Sequence, residues 1–115
     1  MLRLDDSLSD DELLMQGKIS CMKGFYNDAI AEFTSLIEKN KTAQALYYRG
    51  YAYFRSVDRD IPLPNSGNKE TYIAGIENAI NDFEEALKIE PNHKSAKENL
   101  DFMKQQMRKV MLNNA

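Results

Sequence analysis

Apolar residues recur along this chain at spacings of three and four, and two of the stretches echo each other. Ala79, Ile80, Phe83, Ala86 and Leu87 repeat the order of Ala29, Ile30, Phe33, Leu36 and Ile37, 50 positions earlier. At helical periodicity these residues share one face, while Asp82, Glu84 and Glu85, like Glu32, Thr34 and Ser35, fall mostly on the other. Each copy therefore predicts an amphipathic helix. Ahead of each copy lies a second matching stretch: the run from Leu14 to Met22 aligns with the run from Tyr47 to Arg55, Gly17 matching Gly50 at an offset of 33. The first helices thus repeat every 33 residues and the second every 50, so 17 extra residues separate the two helices of the later unit. A helix-turn-helix period in the low thirties is the signature of a stacked helical repeat.

Local signals place the element ends. Ser9 and Glu12 form a capping-box pattern with Leu8 and Leu13 spaced as a hydrophobic staple, which starts helix one at Asp10, and Gly24 should stop it. Asn27 is the expected cap of a second helix running to about Asn40, and Thr42 that of a third ending near Ser56. From Val57 to Asn68, with Pro62, Pro64, Ser66 and Gly67 close together, a loop is expected. Asn68 can cap a new start, and Tyr72, Ile73 and Ile76 keep apolar spacing into Ile80, so the insertion should lengthen helix four by about two turns. Pro91 ends that helix and Asn92 should cap a fifth, whose stripe of Ala96, Leu100, Met103, Met107 and Val110 faces away from Lys94, Lys97, Glu98, Asp101, Lys104, Gln105 and Arg108. A terminal helix with one apolar stripe closes the last open face of a stack.

The second unit also resembles the tetratricopeptide repeat family. Leu46, Gly50, Tyr53, Ala79, Phe83, Ala86 and Pro91 occupy the family's large, small, aromatic and proline places once the insertion is set aside. In the first unit Gly17, Ala29 and Phe33 fit, whereas Leu13, Ser20, Leu36 and Lys41 depart from the pattern. The resemblance implies an all-α fold, a right-handed α-α superhelix of two helix hairpins plus a capping helix. Its parts would be a first repeat over residues 10–41, a second over 42–91 with the inserted loop and helix extension at about 57–75, and a cap over 92–113.

Composition narrows the class. The chain has 115 residues, 43% of them hydrophobic, enough for one domain that buries about two-thirds of its unfolded surface. A net charge of −3 argues against a general nucleic-acid footprint, and no apolar run is long enough to span a bilayer. The segment from Met1 to Asp6 lacks the apolar core of a signal peptide, and Cys21 is the only cysteine, so an internal disulfide is excluded and a cytoplasmic setting is expected. Within a helical pattern, Cys21 reads as a small core residue rather than a nucleophile.

Neither catalysis nor a cofactor is expected. The single histidine, His93, has no cysteine near it in sequence, and the carboxylates fall on predicted exposed faces. Asp58, Asp60 and Asn65 suggest a calcium loop, but an EF-hand counted from Asp58 meets Leu63 and Lys69 where it needs glycine and glutamate.

The resemblance instead implies a protein or peptide partner bound by the first helices of the repeats. The lining would be Asp11, Leu14, Met15, Lys18 and Met22, then Gln44, Tyr47, Tyr48, Tyr51, Phe54 and Arg55, then Glu98, Asn99 and Phe102. Clustered Tyr, Phe and Met residues suit an adaptable interface. The competing expectation is that Tyr47 and Phe54 face the neighbouring layer. Many members of that family grip a chaperone's C-terminal carboxylate with lysine, asparagine and arginine side chains. At the matching places this chain has Leu14, Lys18, Tyr48, Ser95 and Asn99, so that clamp is missing. An alternative is a self-associating scaffold, because residues 1–12 carry a net −4 and residues 92–115 a net +3. Exposed ion pairs are weak, so a monomer or weak oligomer is expected.

Overall fold

The computed structural model describes residues 8–58 and 68–112, which form five helices: α1 (Asp10–Met22), α2 (Tyr26–Lys39), α3 (Ala43–Asp58), α4 (Asn68–Ile89) and α5 (Lys94–Leu112). The predicted loop core and its prolines, with Asp60 and Asn65, lie outside the described residues, as do the side chains of Asp58 and of Asn68, the expected cap of helix four. Among the described residues there is no strand, and no helix is long and apolar enough to cross a membrane.

Neighbouring helices run antiparallel. Lys39 at the end of α2 pairs with Asp10 at the start of α1, while Ser20 in the last turns of α1 donates to Glu32. In the same sense Lys41, just before α3, meets Glu85 late in α4, and Val57 in the last turn of α3 meets Gly75 early in α4. Between the hairpins, α2 and α3 also run antiparallel, since Arg55 lies over Tyr26 and Phe33 stacks on Tyr48. As a result α1, α3 and α5 run in one direction: Lys18 reaches Tyr48, and Phe54 reaches Phe102.

The same residue pair closes both hairpins. Gly17 lies against the ring of Phe33, and Gly50 against that of Phe83, so near that a Cβ on Gly50 would sit 2.9 Å from Phe83 Cε1 and one on Gly17 would sit closer still to its ring. Both phenylalanines are fully buried. A third close approach, Gly75 against Val57, belongs to the lengthened part of α4.

The helix ends show where local chemistry matched expectation. Ser9 Oγ accepts from the Glu12 amide at 3.2 Å and Glu12 Oε1 accepts from the Ser9 amide at 3.1 Å, completing the capping box. The Ser9 amide, and after it the Ser9 hydroxyl, hydrogen-bonds the Glu12 carboxyl and holds it below its ordinary pKa. Gly24, at φ 83°, ends α1 in a Schellman turn: its amide donates to Cys21 O and the Phe25 amide to Ser20 O. Thr42 Oγ1 accepts from the Ala45 amide at 3.1 Å.

Four expectations change. Helix α2 begins at Tyr26 with Phe25 at its N-cap and no side-chain cap, so Asn27 lies inside the first turn. Helix α5 is capped by His93 rather than Asn92: its Nδ1 accepts from the Ala96 amide at 3.1 Å. Val57 is not loop but the last turn of α3, only 6% exposed, because the extended α4 gives it a surface to pack on. Asp82, placed by its pattern on a polar face, is 4% exposed and forms a two-pronged ion pair with Arg49, at 2.8 Å for each bond.

That pair ties three helices. Arg49 Nη1 also donates to Thr34 Oγ1 at 3.3 Å, and Thr34 in turn donates to Ile30 O. The bonds that Arg49 donates to Asp82 outweigh the cost of burial and raise the Arg49 pKa. Truncation of Asp82 to alanine should lower stability in urea by about 2 to 3 kcal/mol, below the usual loss for a fully buried pair because Arg49 keeps some solvent contact. The double change Arg49→Met with Asp82→Leu should recover most of that loss. Gly50→Ala should cost about 1 to 3 kcal/mol by overpacking, whereas Gly24→Ala, with nothing within 4 Å of its Cβ, should cost only the strain of a left-handed residue, about 1 kcal/mol.

Candidate interaction surface

Helix α3 carries the surface because its face between α1 and α5 is a row of rings. Tyr47 and Tyr48 meet edge to face at 5.3 Å between centroids. Tyr48 then stacks on Phe33 at 5.9 Å, and Lys18 Nζ of α1 stands 5.1 Å above its ring. On the other side Tyr47 lies 5.0 Å from the His93 ring and 5.8 Å from Phe83. Its hydroxyl accepts from Asn99 Nδ2 at 3.1 Å. Burial raises the Tyr47 pKa, and the hydrogen bonds with Asn99 and Ser95 partly offset it.

Two helical turns further, Phe54 meets Phe102 of α5 edge to face at 5.8 Å, and Arg55 lies over both Tyr26 and Tyr51, at 5.8 and 6.0 Å. A guanidinium between two rings gains a modest cation–π attraction and keeps its charge near solvent. The face is therefore aromatic with two cationic points, Lys18 and Arg55.

The residues expected to line a groove divide into groups. Tyr47, Tyr48 and Phe54 pack against the buried core, so most of their apolar surface is already used. Tyr51 is half-buried under Arg55, and Phe102 remains 44% exposed. Met15 and Met22 are exposed, together with Ile19, in a stripe on the side of α1 opposite Leu13, Gly17 and Ser20. Lys18, Asp11 and Leu14 lie on the flank between that stripe and the buried face. Gln44 and Glu98 are exposed, and Asn99 is held by Tyr47.

Two residues escaped sequence reasoning. His93 helps seat α5 through its cap and its contact with Tyr47, and its position just before an unpatterned helix start was the available signal. Ile19 was overlooked because α1 lacks a clear polar face.

A small recess of about 280 Å³ lies at the start of α2, lined by Gly24, Phe25, Tyr26, Asn27, Asp28 and Ser56. Among the described residues, no group of three His, Cys, Asp or Glu side chains is arranged to hold a metal ion. No family model, curated protein or solved structure matches this chain, which leaves its own geometry as the ground for a functional reading.

Cys21 is half-buried beside Ala29 and Phe33. Burial, with the nearby Glu32 charge, pushes its thiol pKa up despite the opposing pull of Arg55. Less thiolate is then present at any given pH. Alkylation of the native protein by iodoacetamide at pH 8 should run slower than that of free cysteine, and its rate should keep rising above the pH where an ordinary thiol has levelled off.

Proposed function

We propose that this chain is a non-catalytic protein-interaction module of tetratricopeptide-like architecture, its two hairpins and closing helix wound as a right-handed superhelix. It takes a peptide or helical segment of a partner protein across α1, α3 and α5 and works in the cytoplasm as an adaptor or scaffold. The observation that carries this reading is the continuous row of rings along α3, which extends to α1 through Lys18 over Tyr48 and to α5 through Phe54 against Phe102.

Rings already held by packing lose little further entropy when a ligand covers them, and so favour affinity. The repeated Gly–Phe contact in both hairpins supports the repeat architecture, since the same residue types at matching positions make the same approach. Within this surface Tyr47, Tyr48 and Phe54 form the floor, while Tyr51 and Phe102 are the anchors that a ligand would finish burying. Lys18 favours a segment that carries an acidic residue beside its apolar ones.

A peptide array probed with the wild-type protein and with Tyr51→Ala and Phe102→Ala tests this. Each variant should bind the selected peptides about 30-fold more weakly, the loss expected of an interface anchor, with a melting temperature close to wild type. Unchanged binding in both variants would remove the groove from consideration, and a large fall in melting temperature in both would assign the rings to the core.

A further inference from the structure

The two outer helices of the stack are not alike. On α5 the side away from the core is covered by exposed Lys97, Glu98, Asp101, Lys104, Gln105 and Arg108, as a terminal helix requires. On α1 the corresponding side is apolar: Met15 is 56% exposed, Ile19 43% and Met22 85%, and exposed Phe25 follows in the turn. The spacing of four and then three puts Met15, Ile19 and Met22 in one seam, opposite the face that Leu13 and Gly17 bury. A helix that is apolar on both sides is ordinarily covered on both.

Charge indicates what covers it. The first turn of α1 is acidic, with Asp10, Asp11 and Glu12, and Lys23 is exposed just past its last turn. Such a helix is complementary to itself when reversed. We propose that two copies of this chain pair through α1, antiparallel about a two-fold axis near its middle. Met15 and Ile19 of each copy pack against Ile19 and Met15 of the other, and Glu12 of each, on the same side of the seam as Lys23, faces Lys23 of the other. This antiparallel pairing also sets opposite helix-dipole ends together, and a two-fold contact closes on itself, so association stops at a dimer. The seam is a different face of α1 from the Lys18 flank that joins the α3 rings, so the dimer and the peptide-binding reading can fail separately.

Sedimentation velocity on the full chain over a concentration series decides the matter, with thermal melting followed by circular dichroism as the folding control. Wild type should be dimeric at about 0.1 mM, and Met22→Glu should weaken association by about 30-fold or more while the monomer stays folded. Raising salt should weaken the dimer only modestly, because the seam is apolar. Lys23→Glu should weaken it further, since like charges then meet Glu12 across the axis. A wild type that is monomeric throughout, a dimer that survives Met22→Glu, or one no weaker in Lys23→Glu would each overturn the proposal.

Discussion

Everything in this fold depends on how close the two helices of each hairpin can come, and a glycine against a phenylalanine ring sets that distance. At Gly17 and Gly50 the absence of a Cβ lets the rings of Phe33 and Phe83 lie directly on the backbone of the neighbouring helix. The rings are thereby placed between layers and not at their edge. Phe33 then becomes the platform for Tyr48, and Phe83 lies against Tyr47, so the contact that closes each hairpin also positions the exposed-side aromatics of α3. A larger residue at either glycine would push the ring outward and disturb the aromatic face of α3 along with the core.

The insertion extends this logic without interrupting it. Helix α4 has 22 residues against 14 in α2, and its added turns find partners at both ends of the added length. Gly75 admits Val57 from α3, while Tyr72 and Ile76 share a cluster with Met103, against which Met107 and Val110 of α5 also pack. The length of α5, 19 residues, follows from that of α4, since a shorter closing helix would leave Tyr72 and Ile76 open. Polar specificity is added by Arg49, which spans Thr34 and Asp82 and so ties the position of α4 to α2 as well as α3. In the first hairpin the matching residues are Gln16 and Glu32, and there Glu32 takes the Ser20 hydroxyl instead. The second hairpin therefore holds the buried ion pair.

Sequence periodicity revealed the five helices, the repeat offsets and the stripe on α5 because each comes from a pattern that one helix carries alone. The caps at Ser9 and Thr42 and the stop at Gly24 were legible for the same reason: their chemistry is local. What periodicity could not reveal depended on neighbours. Asp82 reads as a surface acid until Arg49 arrives from another helix, and Val57 reads as loop until Gly75 gives it a pocket. Phe25 and His93 displaced the asparagines expected at their helix starts. For α2 the Schellman turn at Gly24 fixes the backbone first, and for α5 the imidazole both caps the helix and touches Tyr47. The groove list was drawn from a resemblance, which cannot tell a ring already covered by core from one still open. The structure separates Tyr47, Tyr48 and Phe54 from Tyr51 and Phe102 on that criterion.

The same separation bears on how stability and recognition are divided in a chain this small. Tyr47 touches Tyr48, Phe83, His93 and Asn99 at once, joining α3, α4 and α5, so any change there alters the seating of the closing helix before it alters a ligand contact. Tyr51 and Phe102 stand one turn away from that hub and have fewer obligations. On the proposed reading, specificity would be set by side chains with fewer core contacts than Tyr47, and on this face Lys18, Tyr51 and Phe102 are such residues. The rings beneath them are fixed by the core, so on that reading side-chain changes above would shift preference without changing the shape of the floor.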